Sequence, residues 1–175
     1  MKIFSILALM LISVASFAYA QDEITPITVS VDIKPGNCIN PINPNGSSEN
    51  RGLFSFAIMG TTDFDVAQID PESIRITRED VDGEVEPIRW TYKDVGEPSE
   101  GELCDCESPE MDGQIDLVMK AYRAELVEDL ELDEVAGETI LLTIIGNLKD
   151  EFGGTPIVGE DCVRVLKSVS KEKKK

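Results

Sequence analysis

Ile27-Thr28-Val29-Ser30-Val31-Asp32-Ile33 is apolar at every second position. That period puts one face of an extended chain on a core and the other toward water, the pattern of a half-buried strand. Strong turn punctuation follows: Lys34 to Asn50 carries Pro35, Gly36, Pro41, Pro44 and Gly46. Proline lacks the ladder donor and fixes the backbone angle, so this stretch reads as a loop or an extended segment. Leu53 to Met59 resumes as a second strand ending at Gly60, and Ser73 to Thr77 as a third after the connection Asp63 to Pro71. Asp82-Gly83 is a hairpin-turn dipeptide that returns the chain into a strand near Val85 to Tyr92.

The second half continues in the same way. Asp94 to Asp112 is an acidic, Gly- and Pro-bearing excursion, and Ile115 to Tyr122 is a strand. Ala124 to Leu132 spaces Leu126, Val127 and Leu130 as on one short amphipathic helix. Thr139 to Ile145, the most apolar segment after the amino-terminal leader, is expected to be a strand covered on both faces, and Val163 to Leu166 supplies the last one. About seven strands and one helix separated by turn signals predict an all-β, Ig-like β-sandwich.

Length and charge bound the function. A chain of 175 residues suits one domain. Its 34 acidic and 16 basic residues give a net charge of -18, which repels nucleic-acid phosphates, so no nucleic-acid partner is expected. Histidine is absent, which excludes Ser-His and Cys-His nucleophiles and imidazole acid-base chemistry. An enzyme would have to run on carboxylates, as a glycoside hydrolase does, yet nothing in the sequence selects a pair. A non-enzymatic chain is expected.

Met1-Lys2 precedes a nearly unbroken apolar run to Ala18, and Ala18-Tyr19-Ala20 ends it before Gln21-Asp22-Glu23. This is the form of a secretory signal peptide over 1–20, too short to span a bilayer. The expected divisions are then the leader, one sandwich domain at 21–168, and a basic tail at 169–175. A secreted product, extracellular or periplasmic and without a membrane span after cleavage, is expected. Its partner would be a protein or a glycan at the cell surface.

Cys38, Cys104, Cys106 and Cys162 form an even set, and an oxidising compartment makes disulfides the expectation. Cys104 and Cys106 are too close in sequence to bridge each other without strain, so each is expected to pair outward, to Cys38 and Cys162 in an order left open. The spacing lacks the paired knuckles of structural zinc sites.

Two ligand sites are candidates. Calcium takes six to eight oxygen ligands. Asp94, Asp105, Asp112 and Asp116, with Glu107 nearby, could supply several if the disulfides fold the excursion back on itself. Asp80, Asp82 and Glu84 form a weaker second set, which a hairpin turn alone explains. Trp90 and Tyr92 stand two apart on a predicted strand and share a face. The pair suits a sugar-binding platform, but a single Trp in a small β-protein is expected between the sheets, and the core is the favoured place for Trp90.

Several segments carry a family resemblance. Val31-Asp32-Ile33-Lys34-Pro35-Gly36, Asn43, Phe56 to Val66 and Ile69 to Arg75 resemble a module of exported bacterial and archaeal surface proteins, opening with VDIKPG and continuing AILGTxDFDVxxIDPxTV. The likeness extends to Trp90, Asp94-Val95, Asp112 to Leu117 and Phe152 to Gly159, nearly the whole chain beyond the leader. It implies an Ig-like sandwich and an extracellular location, and no reaction. Shorter members have an uninterrupted aspartate loop of the form D-V-N-G-D-G-x-x-D. Here the Cys104 and Cys106 excursion separates Asp94-Val95 from Asp112-Gly113.

Overall fold

A computed structural model describes residues 24–45, 52–99, 101, 103–105 and 110–167. The leader at 1–20, Cys106, Glu107 and the tail at 169–175 lie outside the described residues. In chain order the strands are β1 (Ile27–Thr28), β2 (Val31–Ile33), β3 (Pro41–Ile42), β4 (Leu53–Ile58), β5 (Ile69–Thr77), β6 (Glu84–Val85), β7 (Arg89–Lys93), β8 (Asp116–Tyr122), β9 (Thr139–Leu148) and β10 (Pro156–Val165). Among the described residues one α-helix, α1 (Arg123–Asp129), follows β8 directly.

The strands form two sheets. The first runs β1-β10-β9-β5-β6, with β3 also on β10, and the second runs β2-β4-β8-β7. Ile74, Ile76, Leu142, Ile144 and Val163 from the first meet Ile33, Phe54, Phe56, Ile58, Leu117 and Met119 from the second in one buried cluster. The protein is an all-β sandwich, as the strand and turn pattern predicts.

The strand count exceeds the expected seven because two stretches that read as single strands are each divided and because β3 forms within the segment read as a loop or extended chain. The alternating stretch Ile27 to Ile33 is split: β1 joins β10 in parallel, and β2 joins β4 of the other sheet in antiparallel fashion. Val29 and Ser30 make the crossing, donating through Val29 N to Val158 O (2.9 Å) and accepting at Ser30 O from Met59 N (2.9 Å). Gly159 on β10 makes room for it, since a Cβ there would come within 2.5 Å of Val29 O and of a Val31 methyl. Strand β6 returns onto β5 as expected, but the turn is made at Arg78–Val81, where Asp80 takes φ +64° and Val81 N donates to Arg78 O (3.3 Å), and not at Asp82-Gly83; the chain then leaves for the second sheet as β7.

Two other expectations are corrected. Strand β9 is not covered on both faces: Leu142, Ile144 and Leu148 are buried, whereas Ile145 is 38% exposed. The last strand begins at Pro156 rather than Val163. Its inward positions are Ile157, Gly159, Asp161, Val163 and Val165, and the aspartate in that series hides the core-facing period.

Helix α1 buries Leu126, and the chain beyond it adds Leu130 and Leu132 to the core. It packs on β6, β8 and β4, joining elements of both sheets.

Candidate functional site

Strand β7 reads Arg-Trp-Thr-Tyr-Lys, a run whose aromatic and β-branched centre favours extended backbone. Among the described residues it pairs only with β8, so it is an edge, and all five of its residues are exposed. Trp90 lies opposite Met119 and Tyr92 opposite Leu117. Both partners are fully buried, so the two aromatics are on the core-facing side of their sheet. They are nevertheless 40% and 42% exposed, because cover by the other sheet ends before this last strand. The expectation that Trp90 packs in the core is therefore wrong. Its face is the core face, and its strand is the one the core does not reach. Ile88, two residues earlier and 41% exposed, extends the apolar stripe to three side chains.

The alternate positions of β7 carry charge. Arg89 lies opposite Lys120, and Lys93 opposite Asp116. Arg89, Lys93 and Lys120 form no ion pair with any described residue. Nearby acids are engaged elsewhere: Glu84 and Glu86 pair with Arg75 at 3.5 and 2.8 Å, and Asp116 is turned inward.

Asp116 is fully buried, accepting from Gly60 N at Oδ1 (2.9 Å) and from Val95 N at Oδ2 (2.7 Å). It thus ties the end of β4 and the start of the acidic excursion to the first residue of β8. Asp94 Oδ2 accepts from Gly113 N (2.8 Å), where the glycine's φ of +87° makes the turn, and Asp112 Oδ1 accepts from Gln114 N (2.8 Å). Asp94 Oδ1 is buried without a hydrogen-bond partner. Burial raises the Asp116 carboxyl above the usual range; the two backbone donors oppose that shift, and the charges of Asp94 and Asp112 add to it.

Three of the four aspartates considered for calcium therefore meet at one junction. Asp105 does not join them. It stands beside Cys104 at the rims of two cavities, about 450 and 300 Å3 in volume. Among the described residues, no group of three or more Cys, Asp or Glu is arranged to hold a metal ion. Of the second set, Glu84 is drawn to Arg75.

The excursion is tied down at Cys104, which is disulfide-bonded to Cys162 on β10, with Cα atoms 5.1 Å apart. Outward pairing of Cys104 is thus correct, and Cys38 is also disulfide-bonded. Beneath this bond lies a residue the sequence reading passed over. Asp161 is 2% exposed; its Oδ2 accepts from Ile33 N (2.7 Å) and Asn40 Nδ2 (2.9 Å), and its Oδ1 from Cys162 N (2.6 Å). Asp161 thereby joins β10 of one sheet to β2 of the other. Burial raises its carboxyl, against the pull of the Ile33 and Cys162 amides. The signal that could have found it is the period-two series from Ile157 to Val165.

No family model matches the chain, and no curated protein and no solved structure matches it. What the fold and this edge define is a class: a disulfide-bonded β-sandwich presenting an aromatic and basic edge strand.

Proposed function

We propose that the chain is an exported, non-catalytic interaction module that binds a cell-surface or periplasmic partner along β7. The observation that carries this reading is the side-by-side exposure of Trp90 and Tyr92 on an edge strand. Large aromatics are normally drawn into the core, and a sandwich that leaves its single Trp half in water keeps a surface that a partner can dry. The leader-like Met1 to Ala20 and the disulfide-bonded cysteines support export, as does the resemblance to surface-protein modules.

A carbohydrate-binding module is the second reading, favoured by the same two rings, which could stack on sugar faces. A glycan array probed with the natural chain and with Trp90→Ala tests both. The substitution should change stability by about 1 kcal/mol or less, because the ring is exposed. Ligand retention lost with stability kept places binding on β7. A loss of about 3–5 kcal/mol would instead mark a core Trp and end both readings. Mass spectrometry of the exported product should show a mature chain beginning at Gln21.

A further inference from the structure

From the charge and hydrogen-bonding pattern of β7 we infer that its occupant is an extended, acidic polypeptide strand that adds to the second sheet as a fifth strand. This rests on the reading of β7 as a binding edge and names the chemistry of what binds.

An edge strand offers unpaired main-chain N–H and C=O groups along its free side, and an incoming strand satisfies them by pairing. Side chains of such a strand would alternate between the two faces of β7. On one face they would meet Ile88, Trp90 and Tyr92, all about 40% exposed, which calls for apolar residues. On the other they would meet Arg89 and Lys93, which no described acid pairs with, and that calls for Asp or Glu. Two unpaired cations on one strand of a chain with net charge -18 are complementary to an acidic ligand that the rest of the surface repels.

The same charges argue against a second copy of this chain as the occupant. Antiparallel pairing of two β7 strands over all five residues centres on Thr91 and sets Arg89 opposite Lys93 twice. Like charges directly opposite each other are destabilising. A guard against aggregation would need only the charges. It would not need three apolar side chains held out on the opposite face.

The chain has one Trp, so Trp90 fluorescence reports on this edge alone. The probes are a seven-residue peptide alternating Val with Glu, its Val-Lys counterpart, the Val-Glu peptide N-methylated at alternate amides on the pairing side, and an oligouronate. The Val-Glu peptide should shift the Trp90 emission and bind at least tenfold more tightly than the Val-Lys peptide. Arg89→Glu with Lys93→Glu should reverse that preference, both sites being exposed and safe for folding. N-methylation should abolish binding. Equal binding of the N-methylated peptide would overturn strand addition and leave β7 a binding edge. A response to the oligouronate alone would overturn the polypeptide partner in favour of the carbohydrate reading. No response to any probe, while the glycan array is also silent, would overturn the inference together with the reading beneath it.

Discussion

Asp161 is a carboxylate in the interior of a protein with 34 acidic residues, and its three N–H donors account for its being tolerated there. Asp116 repeats the solution at the other junction, with two donors. Both carboxyls are raised by burial, so the native state holds these protons more tightly than the unfolded chain does. Below the unfolded value of about 3.9 both states are protonated and the contribution to stability is complete; it is lost as the pH climbs through the higher native values. The urea midpoint should therefore carry a component that falls as pH rises from about 4. Asp116→Asn and Asp161→Asn should each flatten it, and an unchanged slope in both variants would contradict the assignment. Asp116→Asn should also cost about 1–3 kcal/mol at neutral pH, because its amide turns a donor toward a backbone donor. The sequence marks neither residue as buried, Asp116 standing out there only as one of four candidate calcium ligands, because a buried acid and a solvated one look alike. The difference lies in which amides the fold brings near.

Among the elements, β7 and β10 show what strand pattern reveals and what it hides. Alternation located β4 and β8 almost to the residue, because each has a continuous run with one wet face. It located β7 as well, and correctly placed Trp90 and Tyr92 on one face. It could not say that β7 is last in its sheet, since strand order is set by pairings remote in sequence. That order alone decides whether the rings are packed or exposed. The first half of β10 was missed because Gly159 and Asp161 stand at two of its inward positions. The outward pairing of Cys104 was legible from the strain of the alternative, and its choice of Cys162 was not. That bond spans 58 residues, for which chain entropy alone gives roughly 4 kcal/mol. Replacing Cys104 and Cys162 by Ser should lower stability to chemical unfolding by about 2–4 kcal/mol. Limited proteolysis should then cut first within residues 99–105; an unaltered cleavage pattern would show that the excursion is held in some other way.

For the whole molecule, the position of β10 governs how the parts join. It lies inside its sheet, with β9 on one side and both β1 and β3 on the other, and it carries Asp161 and Cys162. A chain ending at Thr155 would keep most of the apolar side chains and lose the strand that gathers them. It should show no cooperative unfolding transition, and a sharp one would mean that the second sheet folds alone. The pairing of β1 with β10 joins Ile27 to Ile157 and has a consequence in time. A polypeptide leaving a ribosome emerges from its amino end. Until β10 arrives, β1 and β3 lack the only strand they pair with among the described residues, and contacts so distant along the chain form slowly. The architecture thus ties its beginning to a strand made much later, so the first sheet stays open at β1 and β3 until β10 has been synthesised.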